Sequence, residues 1–261
     1  MKALIGHSGF VGNTLMRQAN FDAFYRSTNI EDIEDKEFDL VICAGAPAQK
    51  WIANRNPSED RTKIEKLISH LSKIKCASFV LISTVDVFVT PSEVTEHSPV
   101  PEHELGAYGL HRRLLEKFVA AQFSNHLVVR LPGLVGPGLR KNAIFDRLND
   151  NNVDAIDGRS VFQFYPMVNL WHDLRLAQAA KLRLVHLTAA PLRIADAFEQ
   201  GFGTPFDHVG SGEPARYDMR TVHADLFGGT GDYQYSARES IQAIRAYAQS
   251  EPKTLYTKDE A

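Results

Sequence analysis

Three glycines, Gly6, Gly9 and Gly12, fall at intervals of three in the stretch GHSGFVG. A short apolar run, KALI, precedes them and an amphipathic stretch, VGNTLMRQA, follows. A loop of this kind can cradle the phosphates of a dinucleotide, or it can be a glycine-rich turn without a ligand. A strand before it and a helix after it favour the cradle. Gly6 then permits the tight turn out of the strand. Gly9 lets backbone approach a pyrophosphate with no Cβ in the way, and Gly12 lets the helix pack closely. Ser8, Phe10 and Val11 complete the loop. The first helical turn offers free N–H groups and the positive end of the helix dipole to the phosphates.

The residue at the end of the second strand judges the ribose of such a ligand. A carboxylate there accepts from the 2′-hydroxyl, and a cation attracts a 2′-phosphate. In DAFYRST the strand is expected to end near Tyr25, followed by Arg26 and Ser27. A guanidinium at that place suits a phosphate. This favours NADP over NAD, the alternative being an ordinary surface arginine.

These residues need a scaffold, and the chain supplies its pattern. Short apolar runs (KALIG, DAFYRS, FDLVICAGA, CASFVLIST, HLVVRLPG, LVHLT) alternate with amphipathic stretches that read as helices. Ile64, Leu67, Ile68 and Leu71 mark one of these, with Pro57 at its start and Ser58 as a candidate N-cap. Strand–helix alternation with near-continuous apolar strands predicts an α/β fold, a Rossmann-type doubly wound parallel sheet. SVFQFYPM reads as a strand, and NLWHDLRLAQAAKL, IADAFEQGF and RESIQAIRAYAQS read as helices. The polar residues from Glu251 to the end are expected to fray.

Bulk properties narrow the function classes. The chain has 261 residues, 44% hydrophobic and 23% charged, with a net charge of -3. No basic run marks a nucleic-acid or membrane surface. No apolar segment is long enough to span a bilayer, and the first apolar run is too short for a leader. A cytoplasmic protein is expected. Cys43 and Cys76 share no metal-site spacing and read as buried reduced thiols. The histidines show no metal-ligand spacing, so no metal is expected.

Four further segments carry a resemblance. LISTVDVF, YGLHRRLLE, RLPGLVGPG and FDLVICAGA resemble, in order and spacing, four segments of the extended short-chain dehydrogenases/reductases, the NAD-dependent epimerase/dehydratase group. The match covers roughly the first 140 residues and is looser beyond them. It implies Tyr108 as acid/base and Thr84 as the hydroxyl that fixes the substrate oxygen, with Ser83 beside it as a fallback. A free phenol titrates near about 10, so such a tyrosine is expected to be pulled down by a nearby cation and the nicotinamide. The family's lysine, four residues after the tyrosine, is replaced by Arg112. Arginine keeps the charge and can bond the nicotinamide ribose, but it does not relay a proton. Ala44, Gly45 and Ala46 at the end of strand three suit a cofactor crossing the sheet edge. Pro132 and Gly133 are implied to face the nicotinamide, and Glu116 is implied to be structural.

The resemblance also implies a small lobe that closes over a sugar nucleotide. The expected division is a dinucleotide-binding core of residues 1–135, with 167–190 returning to it, and a small C-terminal substrate lobe from 136–166 and 191–261. Arg140, Lys141, Asn142, Gln163 and Tyr165 are the substrate candidates, although Arg140 and Lys141 also read as a solvated basic pair. His172 and Asp173 are expected to begin a helix, and YDMRTVHADLFG matches no chemistry. The long helix from Tyr108 is available for a homodimer. Two functions follow: an NAD(P)-dependent oxidoreductase or epimerase acting on a sugar or nucleotide-sugar hydroxyl or ketone, or an NADP(H)-binding sensor or structural module with little chemistry.

Overall fold

The computed structural model describes residues 1–254. The chain runs β1 (Lys2–Ile5), α1 (Phe10–Gln18), β2 (Ala23–Tyr25), β3 (Glu37–Cys43), α2 (Lys50–Arg55), α3 (Pro57–Leu71) and β4 (Lys75–Thr84). It continues through β5 (Ser92–Val94), α4 (Ala107–Gln122), β6 (His126–Leu131), β7 (Gly133–Val135) and α5 (Ala143–Asn149). Next come β8 (Val161–Phe162), β9 (Phe164–Pro166), α6 (Leu170–Ala179) and β10 (Leu184–His186). The last described elements are β11 (Leu192–Arg193), α7 (Ile194–Phe202), β12 (Asp218–Met219) and α8 (Ala237–Ser250).

Among the described residues, six strands form one sheet in the order β10-β6-β4-β3-β1-β2, every pair parallel. The Rossmann-type α/β fold expected from the alternation is thus present. Successive side chains of a strand point to opposite faces, and the apolar strands supply both. Ala3, Ile5, Val41, Cys43, Phe79 and Leu81 pack with Ile64, Leu67 and Leu71 of α3 and Leu115 and Val119 of α4. Leu4, Ile42, Val80 and Val129 pack on the other face with Leu15 of α1 and Leu170, Leu174 and Ala177 of α6.

The path from β2 to β3 holds only a 3-10 turn, Ile30–Ile33, and β3 lies on the far side of β1. The chain therefore reverses direction across the sheet between β1 and β3. In open α/β sheets the crevice at such a switch point, outside the carboxyl ends of the strands, is where ligands bind. Gly6 follows β1 and Ala44 follows β3 at that crevice.

The remaining strands are short pairs: β7 with β9, β8 with β11, and β5 with β12. A second core of Val135, Leu139, Ile144, Phe145, Phe164, Phe198, Ile241 and Ile244 joins α5, α7 and α8. SVFQFYPM is broken into β8 and β9 at Gln163. Helix α3 starts with Pro57 at its first position and Asn56 as N-cap, so Ser58 lies inside the helix and is not the cap. Helix α6 starts at Leu170, ahead of His172 and Asp173. Cys43 is buried and Cys76 half-buried, both free, and burial pushes both thiols up to about 11. Of the tail expected to fray, residues 255–261 lie outside the described residues. Lys253 pairs with Asp150 at 2.8 Å, and the Thr254 N–H donates to Asn149 Oδ1 at 2.6 Å. Among the described residues no helix is long and apolar enough to cross a membrane.

Candidate active site

The glycine loop sits at the switch point, and its three glycines answer to different constraints. Gly6 has φ +82, and a Cβ there would stand 2.3 Å from the Ala44 carbonyl oxygen. Its N–H donates to the Tyr25 carbonyl at 2.8 Å, which extends the β1–β2 ladder, and its carbonyl accepts from the Gly9 N–H at 3.1 Å, which closes the turn. A Cβ on Gly12 would stand 2.2 Å from the Gly6 carbonyl oxygen. This glycine serves the packing of α1 on its own loop. Gly9 is different: it is exposed, with φ -76 and ψ 169, and a Cβ there would meet only the Gly6 oxygen at 3.4 Å. Nothing in the protein's packing demands glycine at position 9. Gly9 is also the N-cap of α1 and gives it no side-chain cap. Ser8 is exposed, and Phe10 and Val11 are half-buried. The open face at Gly9, above an uncapped helix N-terminus, fits a phosphate-bearing ligand.

Arg26 and Ser27 follow β2 directly and are exposed. Arg26 Nε donates to Thr28 Oγ1 at 3.0 Å, and its backbone N–H donates to Asn29 Oδ1 at 2.8 Å. The guanidinium thus stands at the sheet edge with no carboxylate bonded to it among the described residues. Ala44, Gly45 and Ala46 are half-buried at the end of β3, and a Cβ on Gly45 would stand 2.9 Å from Ile5 Cγ2.

Helix α4 brings Tyr108 to the crevice by two devices. Its N-cap, Gly106, has no side chain, and Asn54 of α2 supplies the missing acceptor to the Tyr108 N–H at 3.0 Å. One residue on, a Cβ at Gly109 would stand 2.2 Å from the Asp86 carbonyl oxygen, so α4 rests directly on the backbone that follows β4. Thr84 ends β4 and accepts from the Asp86 N–H at 3.1 Å. Its hydroxyl lies beside the Tyr108 phenol and favours the phenolate. The sequence placed Thr84 and Tyr108 together, and they are together.

The phenol is nevertheless not pulled down. Tyr108 is 8% exposed. Burial pushes it up; Arg112 opposes the rise, Asp86 adds to it, and Thr84 and Lys50 oppose it; the balance lies above the usual tyrosine value. Burial of an anion outweighs the neighbouring cations.

Arg112 departs from the expected ribose-facing role. Nη1 and Nη2 grip the two Asp60 oxygens at 2.5 and 2.9 Å, and Nη2 also donates to the Pro47 carbonyl. The guanidinium carbon lies 4.1 Å from the centre of the Tyr108 ring. His111 Nδ1 shares Asp60 Oδ2 at 2.7 Å. Burial would raise the Asp60 carboxyl, but the bonds from Arg112 and His111 hold it below the usual carboxylate range. Arg112 is 3% exposed, and only its Nε is without a partner among the described residues. That one unpaired donor is itself buried.

Ser83 is not a fallback for Thr84. It points to the opposite face of β4 and donates to Glu116 Oε1 at 2.6 Å. Glu116 also receives Arg130 Nη2 at 2.7 Å and Arg113 Nη1 at 2.9 Å. This buried cluster fastens α4 to β4 and β6, the structural part expected of Glu116.

Pro132, Gly133, Asn142, Gln163, Thr84, Asp86, Phe162, Phe164 and Tyr217 are among the residues lining a cavity of about 330 Å³. Asn142 has φ +118; its Oδ1 caps α5 through the N–H groups of Ile144 and Phe145, at 3.0 and 3.3 Å, and its Nδ2 donates to the Leu134 carbonyl at 2.8 Å. Gln163 is 1% exposed; its amide donates to Thr188 Oγ1 and the Ala189 and Met219 carbonyls and accepts from the Met219 N–H. Both amides are committed to the scaffold. Tyr165 is fully buried and donates to Asp173 at 2.5 Å, and Tyr235 does the same at 2.8 Å. Tyr165 is therefore a core residue and leaves the substrate set. Arg140 is exposed, and Lys141 reaches across the crevice to donate to the Ala48 carbonyl.

Sequence reasoning passed over three polar groups here. Asp86, two residues after Thr84, accepts from Lys50 Nζ at 2.7 Å and from the Tyr217 hydroxyl at 3.2 Å. Asp86 stood in view inside LISTVDVF, where its spacing from Thr84 was a usable signal. Lys50 and Tyr217 had none, and Tyr217 comes from the segment that matched no chemistry. Among the described residues no group of histidine, cysteine, aspartate or glutamate is arranged to hold a metal.

No protein-family model and no curated protein matches the chain in sequence. Solved structures do match in fold. RMD from Pseudomonas aeruginosa complexed with NADPH aligns with a TM-score of 0.71 at 17% identity, over 95% of this chain and 99% of that one. A dTDP-4-dehydrorhamnose reductase from Clostridium acetobutylicum aligns with a TM-score of 0.71 at 19% identity, over 95% and 99%. MoeE5 in complex with UDP-glucose and NAD aligns with a TM-score of 0.72 at 15% identity, over 95% and 98%. The chain thus shares the fold of these solved structures along nearly its whole length.

Proposed function

We propose that this chain is an NADP(H)-dependent oxidoreductase or epimerase acting on a hydroxyl or ketone of a sugar or nucleotide sugar. The observation that carries this reading is the Tyr108 phenol beside Thr84, which lines the cavity, together with a glycine loop whose open face fits a dinucleotide. Structural neighbours solved with NADPH, with NAD and with UDP-glucose support the same ligand classes.

In this reading Gly9, the first turn of α1, Ala44, Gly45 and Ala46 hold the dinucleotide, and Arg26 and Ser27 hold its 2′-phosphate. When bound, the nicotinamide supplies or takes the hydride. Tyr108 donates a proton to the substrate oxygen on reduction and takes it back on oxidation. Thr84 donates a hydrogen bond to the same oxygen and fixes its distance. Burial of Tyr108 keeps the phenol protonated at neutral pH, the form that suits a carbonyl substrate. Phe162 and Tyr217, with ring centres 5.1 Å apart, offer an apolar wall to a sugar face. Residues 136–166 and those from 191 on then act as the substrate lobe over the core, and NAD is the weaker ligand.

The test is NADPH oxidation on a panel of keto nucleotide sugars, whose carbonyl accepts the hydride. Tyr108→Phe is expected to lower kcat by about 10²-fold or more with NADPH binding unchanged; unchanged turnover would refute the assignment. A second reading, an NADP(H)-binding module with little chemistry, is favoured by the capture of Arg112 by Asp60. It is distinguished by NADPH binding without turnover of any panel member.

A further inference from the structure

With the guanidinium of Arg112 spent on Asp60, the free positive charge nearest the acid/base dyad comes from elsewhere. Lys50 is the first residue of α2, and its ammonium contacts Asp86 Oδ1 at 2.7 Å and the Tyr217 oxygen at 3.4 Å. The other Asp86 oxygen is 3.4 Å from Thr84 Oγ1. Asp86 is 18% exposed in its side chain, and Lys50 51%. The cluster thus runs from solvent to the dyad, and it draws on α2, the end of β4 and the segment before β12.

We propose that Lys50 is a positioning residue which, held against Asp86 and Tyr217, offsets the Asp86 charge next to Thr84 and Tyr108 and so adds to the positive charge that Arg112, shared with Asp60, brings to the phenol. The proposal rests on Tyr108 being the acid/base and adds the residue that controls it. The physical argument is local. A bare carboxylate two residues from Thr84 opposes any negative charge on Tyr108 and competes for the Thr84 hydroxyl proton. An ammonium at 2.7 Å cancels that charge and holds the carboxylate aside. Tyr217 fixes the same oxygen from the opposite wall. The charged and titratable groups that bear on the dyad are Asp86, Lys50, Arg112 and Tyr217, together with Lys141, whose ammonium senses Asp86 and Arg112. Of the cations, Arg112 is locked to its own carboxylate, and Lys141 is bound to the Ala48 carbonyl. Lys50 alone among these cations bonds the carboxylate that adjoins Thr84.

The test uses the full chain without cofactor or substrate. Tyr108 is replaced by 3,5-difluorotyrosine, which titrates closer to neutral pH, and its ionisation is followed by fluorine magnetic resonance, with circular dichroism monitoring the fold. Lys50→Met is expected to move the midpoint up by about one pH unit. Asp86→Asn is expected to move it down, the double variant to return it close to the parent value, and Lys50→Arg to leave it in place. A midpoint that ignores Lys50→Met, or a Lys50→Arg variant that behaves like Lys50→Met, overturns the proposal. Loss of NADPH binding or turnover would strike the proposed function and not this result, because the titration involves neither.

Discussion

One end of the crevice is shaped by backbone, the other by side chains that converge from distant segments. At the glycine loop, Gly6 and Gly12 are demanded by contacts of 2.3 and 2.2 Å that any Cβ would make, and Gly9 alone is open. At the other end, Thr84 and Tyr108 are set by Asn54, Gly109, Asp86, Lys50 and Tyr217, which belong to four places in the sequence. The first end is mostly local: a strand, a turn and a helix within the first 18 residues, closed on one side by the Ala44 carbonyl after β3. The second depends on the whole fold. A local site tolerates divergence elsewhere in the chain. A convergent one changes character when a single partner changes, as Asp60 has changed the part played by Arg112.

Substitutions can break this contrast, and the largest effect belongs to Gly12. Gly12→Ala drives a Cβ into the Gly6 carbonyl and is expected to cost about 3 kcal/mol of stability, read as a lowered Tm. Arg112→Lys comes next. A lysine cannot reproduce the two-pronged grip on Asp60, and leaving that buried carboxylate half-paired is expected to cost about 2 kcal/mol. Turnover is not expected to rise; a clear gain would mean that a lysine at this position serves the chemistry better than the Asp60-bound arginine. Gly9→Ala sharpens the contrast within the loop. Its φ and ψ suit alanine, so Tm should hold, while NADPH affinity falls roughly tenfold, about 1.4 kcal/mol. A stable protein with unchanged affinity would show that Gly9 faces no ligand. Arg26→Ala is the smallest: NADPH affinity should drop roughly tenfold or less, with NADH unaffected.

The contrast also explains what could be read from the sequence. The strands, α1, α3, α4 and the glycine loop were legible because period and glycine spacing are local. Thr84 and Tyr108 were legible through their segments. The capture of Arg112 was not, because Asp60 lies 52 residues away and a helix pattern assigns it only a surface place. The burial of Ser83 and Tyr165 was not legible either. Which face of a strand meets the cavity depends on what packs over it, and Glu116 and Asp173 decided that. The placement of β3 beside β1 on the side away from β2, which sets the switch point between β1 and β3, is an effect of topology that composition does not announce.

The measurement that bears most directly on the central claim is a titration of the purified protein with NADPH and, separately, NADH, followed by nicotinamide fluorescence. Saturable binding of NADPH, roughly tenfold or more tighter than NADH, is the predicted result, and it would place ligand at Gly9 and Arg26 together. Binding of neither nucleotide would contradict the account, leaving GHSGFVG a turn without a ligand and Tyr108 an acid with no hydride to accompany it.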